Sequence, residues 1–122
     1  MRQIASLQSR LRQAQLLASR VALLSITVDP EHDSAEVLGR YARAVGADPR
    51  GWRFLLGTPE NLKPILVAYD EWTRRLSSGE IDHPARLYLI DPQGQVREIY
   101  NLSLFDERQA FLDIQALLRE AR

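Results

Sequence analysis

The stretch that decides the fold reads Val21-Ala22-Leu23-Leu24-Ser25-Ile26-Thr27-Val28-Asp29-Pro30. It is nearly all apolar and holds no charge before Asp29. A continuous apolar run of this length is typical of a parallel strand that is covered by helices on both sides. We therefore expect a strand from Val21 to Val28 that is buried on both faces and ends at the Asp-Pro pair.

Helices are predicted on either side of this strand. Before it, apolar residues recur at three- and four-residue spacing, which indicates an amphipathic helix packed on a sheet; they are Ile4, Leu7, Leu11, Ala14 and Ala18. After it, Asp33 is the expected N-cap of a second helix, with Glu36 completing a capping-box pattern. Gly46 is the expected end of that helix. Its inward face is expected to consist of Val37, Leu38, Tyr41 and Val45.

The middle of the chain predicts a shorter strand and a third helix. Trp52–Leu56 is the strand, and Thr58 followed by Pro59 marks the helix start, because proline at the first helical position loses no hydrogen bond. Pro64 lies inside this helix. An interior proline removes one helical hydrogen bond, so we expect a kink or a helix that starts late.

A polar connection over Arg74–Asp82 leads into a predicted hairpin of Leu87–Asp91 and Val96–Tyr100, joined at Pro92-Gln93-Gly94. Asp106 is the expected cap of a last helix. The order is therefore helix, strand, helix, strand, helix, hairpin, helix. This α/β order matches the C-terminal portion of a thioredoxin-like topology in one domain over residues 1–122, and a flavodoxin-like sheet stays open.

Composition narrows the function classes. Of the 122 residues, 45% are hydrophobic and 26% charged, which is ordinary for a globular domain. Sixteen basic and sixteen acidic side chains are interspersed, so no basic stripe is available for nucleic acid. No run approaches the roughly 18 apolar residues that a membrane span needs. No secretory leader is visible either, and the chain as written is expected in the cytoplasm.

Candidate chemistry lies where strands are expected to end. Asp29, His32 and Asp33 follow the first strand, while Asp82 and His83 precede the hairpin. Carboxylates and imidazoles could bind zinc, copper(II) or iron, but no spacing rule brings the two groups together. The plainer interpretation is a turn residue, a helix cap and a solvated histidine. Cysteine is absent, which excludes thiolate ligands and thiol redox chemistry within these residues. We therefore predict no enzyme with a self-contained active site.

Two longer stretches resemble the SCO/SenC family, thioredoxin-like proteins that handle copper for the assembly of cytochrome c oxidase. The first runs from Leu23 to Asp33, and the second reads Ile81-Asp82-His83-Pro84-Ala85-Arg86-Leu87-Tyr88-Leu89-Ile90-Asp91-Pro92-Gln93-Gly94. Trp52-Arg53-Phe54-Leu55 and Ala68-Tyr69 add to the likeness, which spans roughly residues 4–118.

The resemblance implies that copper is the bound metal and that His83 is its histidine ligand. In the family the other two ligands are the thiolates of a C-x-x-x-C segment, which suit Cu(I). Asp29, Asp33 and Asp82 are implied as supporting groups around that site. The implied partner is a cytochrome c oxidase subunit or another copper protein. By resemblance, the full-length protein is membrane-anchored on the periplasmic side of the inner membrane.

The two cysteines of the family have no counterpart in this chain. Met1 stands inside the helix that follows the cysteine loop in the family, so an N-terminally truncated domain is the expected explanation. The strand that leads into that loop would be missing as well. We expect a gap between the strands Val21–Val28 and Leu87–Asp91, and a chain that is unstable, aggregates, or closes the gap as a homo-oligomer.

Two hypotheses follow. The first is the C-terminal part of a SCO/SenC-like copper-delivery or thiol-disulfide protein, which binds no copper tightly and transfers none as this cysteine-free chain. The second is a cysteine-free thioredoxin-like module that uses the fold to contact other proteins.

Overall fold

A computed structural model describes residues 2–71, 74–78, 81–82 and 86–120. Its elements follow the predicted order, with one short extra hairpin and one 3₁₀ turn. They are α1 (Arg2–Gln13), β1 (Leu23–Ile26), α2 (Ala35–Ala44), β2 (Trp52–Leu55), α3 (Pro59–Ala68), β3 (Arg74–Arg75), β4 (Ile81–Asp82), β5 (Arg86–Ile90), β6 (Val96–Asn101), the 3₁₀ turn (Leu102–Leu104) and α4 (Glu107–Glu120).

The chain divides into two compact units. The hairpin unit consists of Met1–Leu17 with Ala85–Arg122, and the parallel-strand unit consists of Ala18–Pro84. The described strands form three two-stranded sheets, β1–β2, β3–β4 and β5–β6, so each described strand has a single partner.

The hairpin unit contains two long helices that pack on each other. The contacts between α1 and α4 bury apolar side chains from both helices. An ion pair between Arg10 and Glu107 also joins them. The buried apolar side chains of this unit are Ile4, Leu7, Leu11, Ala110 and Ile114. The amphipathic spacing of the first helix is thus confirmed, although the helix ends at Gln13, before Ala14 and Ala18.

The predicted β5–β6 hairpin is also confirmed. Its turn is closed by Asp91, whose Oδ1 accepts hydrogen bonds from the backbone N–H of Gln93 at 3.0 Å and of Gln95 at 2.9 Å. Gly94 has a φ of +82°, a conformation that favours glycine. Asp106 caps α4 as predicted, because its Oδ1 accepts from the backbone N–H of Arg108 at 3.0 Å.

The parallel-strand unit is built on the β1–β2 pair, in which Leu23 lies opposite Trp52. The Trp52 side chain is fully buried, and its Nε1 donates to the Ser25 Oγ at 3.0 Å. Its ring stacks on that of Phe54 at a centroid distance of 5.4 Å. The hydrogen bond to Ser25 links the two strands through side chains as well as through the backbone, while the ring stacking lies within β2.

The predicted burial of the first strand on both faces is wrong. Leu24 is 60% exposed and Ile26 is 40% exposed. The backbone N–H groups of Leu23 and Thr27 donate to carbonyls next to or within β2. In a parallel ladder, alternate residues direct their backbone N–H and C=O groups to opposite sides of the strand. The backbone groups of Leu24 and Ile26 therefore point to the edge of β1 that faces away from β2. Among the described strands that edge of β1 has no partner.

Several local predictions for the helices are corrected. The N-cap of α2 is Ser34, whose side chain accepts from the Val37 N–H at 3.2 Å, and not Asp33. Asp33 is instead engaged with Thr27. Tyr41 was expected to face inward but is 54% exposed.

The third helix begins at Pro59 with Thr58 as its cap, as predicted. It runs through Pro64, so the alternative of a late start is wrong. Among its apolar side chains, Leu62 is buried, whereas Ile65 is 40% exposed. Gly46 follows α2 with a φ of +74°, which confirms its predicted role at the end of that helix.

Candidate functional site

The residues that follow β1 form the strand-end cluster, which consists of Thr27, Asp29, Glu31, His32, Asp33 and Arg75. All but Arg75 come from the loop between β1 and α2, and Arg75 comes from β3. The whole cluster lies in the parallel-strand unit. It includes two of the predicted supporting residues, Asp29 and Asp33.

Thr27 folds the loop back on itself. Its hydroxyl donates to the Asp33 Oδ2 at 2.6 Å and accepts from the Asp29 backbone N–H at 3.0 Å. The Asp29 carbonyl accepts from the backbone N–H of Asp33 at 3.0 Å. Because Thr27 is buried, these bonds satisfy a polar side chain that burial would otherwise destabilise. The loop is therefore held in one turn directly after the strand.

Asp29 is the centre of the cluster. Arg75 reaches both of its carboxylate oxygens, with Nη2 at 3.1 Å from Oδ1 and Nη1 at 3.4 Å from Oδ2. The His32 Nδ1 lies 3.0 Å from each oxygen. Burial acts to raise the pKa of Asp29, but the hydrogen bonds of His32 and Arg75 and the positive charge of Arg75 outweigh it. The pKa of Asp29 is therefore lowered, and the carboxylate is charged at neutral pH.

Arg75 takes the place that a metal cation would need in this cluster. Besides Asp29, its guanidinium lies 3.5 Å from the Glu31 Oε2 and 3.3 Å from the His32 Nδ1. A second cation among these groups would be repelled by the guanidinium. Among the residues that the structure describes, no group of three His, Cys, Asp or Glu side chains is arranged to hold a metal ion. The described residues alone therefore do not form a copper site.

The second predicted group, Asp82 and His83, is reached through the short β3–β4 hairpin. Arg74 pairs with Asp82, and Arg75 pairs with Ile81. The backbone of Asp82 thus belongs to the strand next to Arg75, while His83 lies outside the described residues. The roles of both residues in a metal site stay predictions.

Arg75 is the site residue that sequence reasoning missed. The only available signal was charge, since Arg74-Arg75 is a basic pair and Asp29, Glu31 and Asp33 form an acidic loop. Arg75 stands 46 positions from Asp29, and no motif spacing connects the two. Only the folded chain brings them together.

The chain matches the sequence model of one protein family over nearly all of its length. The sequence model of the family described as SCO1/SenC matches residues 1–119. This protein belongs to the SCO1/SenC family. The predicted family membership is confirmed over nearly the whole chain. No curated protein matches this chain.

Solved structures of the same family share its fold. A SCO1/SenC family lipoprotein from Bacillus anthracis is similar with a TM-score of 0.85 at 24% identity, covering 96% of this chain and 70% of that one. Arabidopsis thaliana ScoI, solved with copper bound, is similar with a TM-score of 0.80 at 20% identity, covering 98% and 72%. The predicted thioredoxin-like α/β fold of the SCO/SenC type is therefore confirmed.

A third similar structure is BsSco, a member of the Sco family of cytochrome c oxidase assembly proteins in which a disulfide switch was identified. It has a TM-score of 0.78 at 22% identity and covers 93% of this chain and 67% of that one. In the described part of this chain, no helix combines the length and apolarity that a bilayer crossing requires.

Proposed function

We propose that this chain is the histidine-bearing part of a SCO-type copper-delivery protein that acts in cytochrome c oxidase assembly. The family match over residues 1–119 is the observation that carries this proposal. Arabidopsis thaliana ScoI binds copper, and BsSco belongs to a family of oxidase assembly proteins. A SCO-type protein would hand its copper to an oxidase subunit or another copper protein, on the membrane side where the oxidase is assembled.

In this proposal His83 supplies an imidazole ligand to copper. Imidazole is a good ligand for Cu(II) and completes thiolate sites that hold Cu(I). His83 follows β4 directly, and β4 is paired with the strand that carries Arg75. Asp29, Asp33 and Asp82 would support the site from outside the ligand set, as carboxylates often do for metal-bound histidines.

The thiolates must come from outside these 122 residues, because the sequence holds no cysteine. A soft Cu(I) ion is poorly served by one imidazole and carboxylates alone. Thiol-disulfide exchange likewise requires a thiolate. By itself the chain is therefore expected to bind Cu(II) weakly through His83, to hold no Cu(I) tightly and to transfer none.

Copper titration of the purified chain tests this proposal. Cu(II) is added to the wild type and to the His83→Ala and His32→Ala variants, and binding is followed by the loss of histidine NMR signals. His32 is the only other histidine, so it is the matched control. We expect His83→Ala to weaken Cu(II) binding by more than about tenfold and His32→Ala to change it little.

A parallel titration with Cu(I) and a competing chelator measures how tightly the chain binds Cu(I) without thiolate ligands. The chelator is expected to remove Cu(I) from all three proteins. If His83→Ala binds Cu(II) as the wild type does, His83 is not a copper ligand. Retention of Cu(I) against the chelator would show that thiolates are not needed.

The exposed edge of β1 favours a second candidate function, a protein-interaction module. Leu24 and Ile26 are exposed, and their backbone groups face an edge without a described partner. The eight residues from Val21 to Val28 carry no charge, glycine or proline, which is typical of a strand that pairs with a copy of itself. The occupant of this edge would be a second copy of the chain, in an oligomer that closes the sheet.

A further inference from the structure

Arg75 joins two parts of the parallel-strand unit that are far apart in sequence. Its backbone pairs with Ile81 in the β3–β4 hairpin, while its guanidinium lies on the Asp29 carboxylate after β1. Within the described residues the hairpin ladder has two residue pairs, Arg74 with Asp82 and Arg75 with Ile81. A two-stranded ladder of this length is marginally stable in water without other contacts.

We propose that Arg75 is a positioning residue that holds the β3–β4 hairpin, and with it the backbone leading into His83, against the loop that follows β1. The inference rests on the proposed role of His83 as a copper ligand. Arg75 pairs with Ile81, and His83 follows Ile81 by two residues in the sequence.

The chemistry of the contact requires an arginine. The guanidinium presents two N–H groups to the two oxygens of one carboxylate, a fork that a lysine ammonium cannot reproduce. A second acidic neighbour of the guanidinium, Glu31, lies 3.5 Å away and adds attraction without a short hydrogen bond. Arg75 is 39% exposed and Asp29 21% exposed in their side chains, so water screens the pair only in part.

The imidazole of His32 also faces Arg75. Its Nδ1 lies 3.3 Å from the Arg75 Nη1 and 3.0 Å from the Asp29 oxygens. Asp29 therefore contacts both the guanidinium of Arg75 and the imidazole of His32.

Hydrogen exchange on the whole chain tests the inference. Exchange of the backbone amides in the β3–β4 hairpin is measured for the wild type, Arg75→Ala and Arg75→Lys, with Arg53→Ala as the control. Arg53 is an exposed arginine in β2, in the same unit but outside the strand-end cluster. The amides of α2 serve as an internal reference for the fold.

We expect hairpin amides to exchange about fivefold faster in Arg75→Ala, as the loss of a partly exposed ion pair predicts. Arg75→Lys should lie closer to Arg75→Ala than to the wild type, and Arg53→Ala should match the wild type. Hairpin exchange that is unchanged in Arg75→Ala overturns the inference. An equally large increase in the exchange rate of the α2 amides also overturns the inference, because it would indicate a general loss of stability.

The copper titration separates this inference from the proposed function. If Arg75→Ala loosens the hairpin and also weakens His83-dependent Cu(II) binding, both stand. A second outcome is that Arg75→Ala loosens the hairpin and that His83→Ala binds Cu(II) as tightly as the wild type. This outcome supports the contact made by Arg75 and contradicts the role of His83 as a copper ligand. A loosened hairpin with His83-dependent binding at full strength contradicts the positioning role of Arg75.

Discussion

The two units of this chain differ in how much of their apolar surface they bury. Of the seven buried apolar side chains among the described residues, five lie in the hairpin unit, and Trp52 and Leu62 lie in the parallel-strand unit. The parallel-strand unit leaves Leu24, Ile26 and Val67 exposed. An antiparallel hairpin can expose one face to water, whereas a parallel pair is stable when both of its faces are covered. The unit that carries the strand-end cluster therefore buries fewer of its described apolar side chains.

Leucine-to-alanine substitutions in the two units give the sharpest test of this difference. Leu11 in α1 is fully buried, whereas Leu24 in β1 is 60% exposed. Leu11→Ala is expected to lower the free energy of unfolding by about 2–5 kcal/mol, because it leaves a cavity. Leu24→Ala is expected to cost less than about 1 kcal/mol in the monomer. Urea unfolding followed by circular dichroism measures both, and equal losses would contradict the contrast between the units.

A charge on the open edge of β1 tests whether a second copy covers it. If two copies pair there, Leu24→Lys should weaken the dimer by about tenfold or more, because an apolar contact is replaced by a desolvated charge. Leu112→Lys on α4 is the matched control, since Leu112 is 56% exposed. Light scattering after size exclusion reads the mass at several concentrations. A wild type that stays monomeric, or a dimer that both variants weaken equally, rules out this interface.

The smallest expected effect is the pH dependence of the Asp29 contact. The pKa of Asp29 is lowered in the folded chain, so its contribution to stability is present above its unfolded pKa of about 3.9 and is lost as the pH falls below that value. The wild type is expected to exceed Asp29→Asn in unfolding free energy by less than about 1 kcal/mol near neutral pH.

This advantage should shrink as the pH falls from the unfolded pKa of Asp29 through its lower folded pKa. Unfolding of both proteins across the acid range measures it. Asp48→Asn is the matched control, because Asp48 pairs with Arg50 outside the strand-end cluster. An advantage of the wild type that persists unchanged in acid would show that the Asp29 charge does not stabilise the loop.

Local sequence patterns predicted the helix caps and tight turns, because these features depend on residues that are close in sequence. Thr58 with Pro59, Gly94 in its turn and Asp106 before the last helix are confirmed because a cap or a tight turn is set within about four residues. Asp33 failed as a cap because two adjacent polar residues could serve, and Thr27 competes for its carboxylate. For the candidate site, the sequence identified Asp29 and Asp33 but not Arg75.

By itself the sequence determined the order of helices and strands, the family and the absence of any thiolate, since these follow from periodicity, motif order and composition. Only the tertiary structure decided that Leu24 and Ile26 are exposed and that Arg75 lies on Asp29. Burial of an apolar strand depends on which other strands and helices are present to cover it. An ion pair between residues 46 positions apart depends on chain folding, which no local pattern encodes.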